Sequence, residues 1–356
     1  MRNLDNPRTY EQSDPSLMRS HLRGLPQQCR QAWEQVMSFP LPRDYSEVDK
    51  VVILGMGGSA IGGDLLRSLV SGRTRLLVWS HRDYGLPAFV DERTLVVASS
   101  YSGMTEETLD GLSKALATRC KKVVITTGSK LEAMAERHGL PVFRLSYRSP
   151  PRAALGYSLI PLVGVLQKLG LIPDLSGEFN EAVRVLEGMC SRLAEDVPLA
   201  TNNAKGLARR LYRRLPVVYG AGITAPVAYR WKTQLNENAK YWSFSEVLPE
   251  LDHNSVAGYS LPAELKDVAF VVILEAPALH QRHLDRYVVT RELLDRAGIS
   301  HTTVNSEGNG VLGQMLSLVF LGDWTSYYLA MLHGNDPNAI PAIDYLKERL
   351  SHTPEA

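Results

Sequence analysis

The chain has 356 residues, 44% of them hydrophobic and 22% charged, with a net charge of +1 at pH 7. That length allows two domains with proper cores, and the balanced charge gives no electrostatic footing for a nucleic-acid or membrane partner. Three cysteines without C-x-x-C spacing (Cys29, Cys120, Cys190), a polar start without an apolar signal core, and no apolar run near the ~20 residues that span a bilayer lead to the expectation of a cytoplasmic protein with reduced thiols.

Residues 26–37 have helical spacing, stopped by Pro40 and Pro42, and stand before the rest as an extension. From there the pattern alternates. Strands are predicted at 51–54, 75–79, 94–98, 122–126 and 141–145. Helices are predicted at 59–70, 105–119, 131–138 and 152–169, the last mostly apolar. A polar stretch near 173–179 and a linker helix over 180–194 precede a second series. It has strands at 216–219, 268–275 and 301–305, helices at 224–237, 279–297 and 313–332, and a short terminal helix at 341–350. Alternation of this kind predicts parallel sheets covered by helices on both faces. The two series look related: VVILGMGGSA at 51–60 returns as VVYGAGITA at 217–225, which suggests a duplicated domain. Chance likeness between short apolar–glycine strings is the plainer alternative.

The first of those strings passes from strand to helix through Gly55-Met56-Gly57-Gly58-Ser59. Glycines let the backbone approach a ligand closely, and free N–H groups at a helix start favour an anion. Gly57, Gly58 and Ser59 are therefore candidate phosphate ligands. Such turns also occur without any ligand, and Gly55-x-Gly57-x-x-Ala60 fits the dinucleotide fingerprint as well. That reading wants an acidic residue about twenty positions on. The next strand instead ends Trp79-Ser80-His81-Arg82, which suits only a 2′-phosphate. A second stretch, SSYSGMTEE at 99–107, weighs against the nucleotide. It follows an apolar strand and opens a helix, so Ser100, Ser102 and Thr105 fall at the carboxyl edge where open α/β sheets bind ligands. Ser102 and Thr105 are also ordinary helix caps, a reading that Glu106 and Glu107 support as first-turn acids, and the two carboxylates count against a phosphate there unless both point away. Two helix starts with converging hydroxyls nevertheless make a site for one phosphate group.

GMGGSAIGGD followed by SYSGMTEETL resembles the sugar isomerase (SIS) domain, and two such domains in tandem resemble the phosphoglucose isomerase superfamily. Residues 151–157 (PRAALGY), 236–240 (NENAK), 250–254 (ELDHN) and 343–347 (IDYLK) are similar, in order, to the bifunctional phosphoglucose/phosphomannose isomerases. The resemblance implies an α/β protein of two SIS-type domains, each a parallel sheet flanked by helices on both faces. Its parts would be a helical extension at 1–40, a first domain with the phosphate site at 41–175, a linker helix at 176–196, a second domain at 197–335 and a helical tail at 336–356. It further implies a homodimer acting on sugar phosphates with no metal and no other cofactor.

Aldose–ketose isomerisation moves a proton between C1 and C2 through an enediol, and needs one placed base. Glu237 ends a predicted helix, where the macrodipole disfavours a charged carboxylate. Seen alone it reads more simply as a solvated helix-end glutamate; the resemblance gives it the proton transfer. The resemblance also gives ring opening to His253 and Lys347, with the histidine coming from the neighbouring subunit, and stabilisation of the enediolate to Arg152. Taken singly, these are a turn histidine, an exposed cation and a snorkelling arginine. Met104 stands where family loops have asparagine, and Asn338 falls near a threonine that relatives use in handling mannose 6-phosphate. His280-x-x-His283 has no acidic or cysteine partner at metal spacing and reads as a solvated face. The rivals are a non-catalytic sugar-phosphate-binding regulator, which the phosphate loops alone would serve, and an NADP-dependent enzyme.

Overall fold

The structure is a computed structural model and describes residues 1–351. Residues 352–356, the end of the expected tail, lie outside the described residues. Five strands form the first sheet: β1 (Lys50–Leu54), β2 (Leu77–His81), β3 (Thr94–Ser100), β4 (Lys121–Thr126) and β5 (Val142–Arg144). Their order is β2-β1-β3-β4-β5 and every pair is parallel. The second sheet holds β6 (Leu215–Ala221), β7 (Phe244–Leu248), β8 (Ala269–Glu275) and β9 (Ser300–Asn305), in the order β7-β6-β8-β9, again all parallel. Strand β3 is buried at every position, which is why its sequence reads as a continuous apolar run and not as an alternation.

The duplication is visible in the fold. β1 and β6 each lie one place in from a sheet edge and feed a helix through a tight turn. Gly57 and Gly222, which align in the two strings, both take a left-handed backbone, at φ 49° and 46°. The helices that follow, Gly57–Val70 and Ala225–Glu237, pack on one another between the sheets. With Leu25–Ser38, Leu155–Lys168, Ser176–Leu193 and Val311–His333 they build one continuous core reaching both sheets. The outer faces carry their own smaller cores. Val311–His333 is long and apolar enough to cross a membrane, but its most apolar stretch is 94% buried inside the protein.

Several expectations need correction. The expected linker helix is longer and well packed: Ser176–Leu193 buries Phe179, Ala182, Val183 and Leu186 and lies against Val311–His333 and Leu25–Ser38. The 152–169 helix is broken, because Pro150 and Pro151 lead into a short 3-10 turn, Pro151–Ala153, before the helix Leu155–Lys168 begins. The extension holds three helices, Pro7–Ser13, Met18–Arg23 and Leu25–Ser38, where one was expected. Strand β7 and the helix Asn203–Leu211 were not anticipated. β7 is an edge strand with Phe244 and Val247 exposed, so burial wrote no apolar run into it.

Candidate functional site

The two phosphate-loop candidates meet at the carboxyl ends of β1 and β3, which pair directly. Gly57 and Gly58 are the first residues of their helix, where amides have no intrahelical acceptor, and no side chain caps that end. The Ser59 hydroxyl crosses to the second loop, accepting from the Tyr101 amide at 3.1 Å. In that loop Ser100 and Thr105 share a hydrogen bond at 2.8 Å, and the Gly103 amide donates to Ser100 Oγ at 3.1 Å. Gly103 is required there, since φ is +65° and a Cβ would fall 1.9 Å from the Gly128 carbonyl. Thr105 precedes the helix Glu106–Leu116 without a side-chain cap bond, and Ser102 Oγ accepts from Met104 N at 3.2 Å. The simple capping role is therefore absent for both, and two uncapped helix starts face one edge of the sheet. Ser102 and Met104 are exposed, while Ser59 and Ser100 are buried.

Arg152 stands against this loop. A Cβ on Gly58 would lie 3.0 Å from the Pro151 carbonyl and 3.1 Å from the Arg152 amide, so the two backbones touch. The Ser158 hydroxyl ties the same segment down, donating to Gly58 O at 2.7 Å. The Arg152 side chain is 3% exposed, and its donors are nearly all committed. Nε donates to Asn238 Oδ1 at 2.8 Å, and Nη2 to the Pro337 and Asn338 carbonyls at 2.6 and 3.0 Å. Nη1 faces Glu237 Oε2 at 3.4 Å. Burial holds the guanidinium below its usual value, against the opposing pull of Glu237 and Asp336, and an arginine stays charged regardless. The helix-end placement of Glu237 is thus answered by a cation, a partner the sequence reading did not supply.

Beneath this pair lies a buried ion pair that sequence reasoning missed. Arg230 and Asp323 meet at 2.6 Å with side chains 2% and 5% exposed. Arg230 also donates to the Arg152 carbonyl at 3.0 Å, and Gln234 donates to Asp323 at 2.9 Å. Burial pushes the Asp323 carboxyl up, and Arg230 then Gln234 pull it back. Asn238, fully buried, completes the frame by donating to Ser326 Oγ at 3.0 Å. A signal was available: Asp323 is the one carboxylate in the mostly apolar Val311–His333 helix. Asn338, the tail position near the family's threonine, reaches the site through its backbone carbonyl on Arg152.

His253 and Lys347 are not brought to this centre within one chain. His253 is exposed at the end of a short turn, Glu250–His253, and Lys347 is exposed on the Pro341–Ser351 helix. Among the described residues no hydrogen bond or ion pair joins either to Arg152 or Glu237. The His280/His283 reading is revised too. His280 caps the Gln281–Ala297 helix, accepting from Arg282 N at 3.1 Å, and burial pushes His283 down, helped by His280 and Arg286. No three His, Cys, Asp or Glu side chains among the described residues are grouped to hold a metal. Arg82, the candidate 2′-phosphate ligand, is paired with Asp64 and stacks over the Tyr229 ring.

Two parallel sheets with helices on both faces, joined at a seam beside a glycine–hydroxyl loop pair, define a protein of tandem SIS domains. Residues 200–350 match the family model described as the bacterial phospho-glucose isomerase C-terminal SIS domain. A bifunctional phosphoglucose/phosphomannose isomerase of Caldicellulosiruptor bescii is 42% identical over 328 residues, covering 92% of this chain and 97% of that relative. One from Aquifex aeolicus is 34% identical, covering 89% and 94%. In fold, the chain resembles a glucose-6-phosphate isomerase-like protein of Thermus thermophilus, at a TM-score of 0.63 and 22% identity over 98% of this chain and 99% of that one. The chain belongs to the bifunctional phosphoglucose/phosphomannose isomerase family.

Proposed function

We propose that this protein interconverts fructose 6-phosphate with glucose 6-phosphate and with mannose 6-phosphate, as a homodimer in the cytoplasm. The observation that supports the reading is the contact of Gly58 with the Pro151–Arg152 backbone, since the Arg152 side chain in turn faces Glu237. Gly57 and Gly58 amides with Ser59, Ser100, Ser102 and Thr105 hold the phosphate. Glu237 removes the proton from C1 or C2 and returns it to the other carbon. Arg152, desolvated and fixed in place, stabilises the enediolate oxygen. His253 and Lys347 assist ring opening, the histidine arriving from the partner subunit, in keeping with its exposure here. Glucose and mannose 6-phosphates differ only in the face on which C2 of the common enediol is protonated, so one base serves both when rotation about the C2–C3 bond turns the other face toward it.

A proton NMR time course of fructose 6-phosphate in D₂O with EDTA-treated protein tests the proposal. Glucose 6-phosphate and mannose 6-phosphate carrying deuterium at C2 are the expected products. A sugar phosphate that protects the protein against heat without turning over would favour the regulator instead, since the phosphate loops alone explain binding.

A further inference from the structure

Lys240 lies three positions past Glu237, just beyond the end of the Ala225–Glu237 helix, in a left-handed backbone with φ 61°. A side chain makes that conformation costly where glycine would not. What offsets the strain is where the ammonium goes. Lys240 Nζ donates to Glu237 O at 2.7 Å and to Asp336 O at 2.8 Å, with Asn238 O and Pro337 O at 3.3 and 3.4 Å. An ammonium has three donors, so none is left over for a substrate. The 335–338 turn it holds is the one Arg152 holds from the other side, and both cations use the Pro337 carbonyl. Asn335 adds a third tie, donating to Ala239 O at 3.0 Å. The cation also satisfies carbonyls at the negative end of the helix that carries Glu237.

On the reading above of Arg152 and Glu237 as the reacting pair, we propose that Lys240 is a positioning residue. By tying the end of the Ala225–Glu237 helix to the 335–338 turn, it fixes the Glu237 carboxylate relative to the Arg152 guanidinium. The groups around it are Arg152, Glu237 and Asp336. Nothing here requires Lys240 to touch the sugar.

The test uses three variants of the full chain beside wild type. Lys240→Met keeps the stem and removes the ammonium, Lys240→Gly also removes the backbone strain, and Lys240→Arg keeps a cation of similar reach. Fructose 6-phosphate turnover should fall about tenfold or more in kcat for K240M and K240G, with KM changed less than about threefold, because small misplacements at a reacting pair cost this much. K240R should recover most of the loss. K240G should melt no lower than K240M, which separates the kinetic loss from a folding defect. Wild-type kcat in K240M or K240G would overturn the proposal. An independent readout is amide hydrogen exchange at Asn335, Asp336 and Asn338, which should quicken in K240M and K240G; unchanged protection would also overturn it. Wild type that turns nothing over would defeat the isomerase reading, while the exchange data would still decide whether Lys240 holds the turn.

Discussion

Replacing Gly58 by alanine probes the junction on which the site depends. The added Cβ would meet Pro151 C and O at 3.0 Å and Arg152 N at 3.1 Å. These are backbone atoms, which cannot rotate aside as a side chain would, so the loop and the Arg152 segment must separate by a few tenths of an ångström. Overpacking of this kind costs about 1–3 kcal/mol of stability. It also moves Arg152, whose Nη1 is already 3.4 Å from Glu237 Oε2, and a shift toward 1 Å there costs up to ~100-fold in rate. A loss of about tenfold in kcat/KM is expected for the smaller displacement. Gly57→Ala is the control. A Cβ at 57 meets no atom within 4 Å, but φ is +49°. Its cost is conformational, about 1–2 kcal/mol, with no push on Arg152. Both variants should therefore melt lower; G57A, which strains an amide assigned to the phosphate, should raise KM, and only G58A should also lower kcat for fructose 6-phosphate. Calorimetry and a coupled steady-state assay read the two quantities. If G57A lost kcat as heavily as G58A, the loop–Arg152 contact would not be what links phosphate binding to the reacting pair.

Glu237→Gln should fold normally and lose about 10²–10⁴-fold in kcat, the range for removing a general base; turnover near wild type would take Glu237 out of the mechanism. Asp323→Asn should destabilise the protein by about 3–5 kcal/mol in urea unfolding, because it strands the Arg230 charge in the core; a loss below about 1 kcal/mol would mean that Arg230 finds another partner. Burial lowers the pKa of His21, His283 and His333 below 6.5. A folded pKa below the unfolded one means that the unfolded chain takes protons first as pH falls, so stability is full above 6.5 and is lost below it. Melting temperature should accordingly drop between about pH 7 and pH 5.5, and a flat profile would show that these rings reach solvent.

What could be read from the chain alone was what local spacing records. The glycine and hydroxyl strings at 55–59 and 99–105 follow buried strands, so their place at the sheet edge came with the strands themselves. The Arg152–Glu237 pair could not be seen that way, since the two residues are 85 positions apart and meet only through packing between the halves. The resemblance supplied the names of those residues; it did not supply the frame that holds them. Asn238 sat inside a quoted motif with no role attached, yet its burial and its bond to Arg152 make it part of that frame. Lys240 was equally visible and equally silent, because a lysine after a helix end reads as solvated. The helix start at Gly57, earlier than predicted, has a similar cause: glycine has poor helix propensity, and tertiary contacts overrode it.

The duplicated halves have diverged in a way that fixes the number of sites. In the first, the hydroxyl at the helix start reaches out, with Ser59 taking an amide from the neighbouring loop. At the aligned position in the second, Thr224 turns inward. It accepts from Ala221 N at 2.9 Å, lies 3.1 Å from the Leu274 carbonyl it donates to, and is fully buried. The counterpart of β3 in the second sheet, β8, ends at Glu275 and runs on into Ala276-Pro277, with no run of hydroxyls to match Ser100, Ser102 and Thr105. The second half therefore keeps the turn but not the chemistry of an anion site, and contributes Glu237 from the far end of its helix instead. One sugar phosphate per chain follows. Calorimetric titration of the E237Q variant with fructose 6-phosphate should give one site per chain, and Thr224→Val should leave that affinity unchanged. Two sites per chain, with one lost on changing Thr224, would mean that the second turn still binds phosphate and that the halves diverged less than their hydrogen bonds imply.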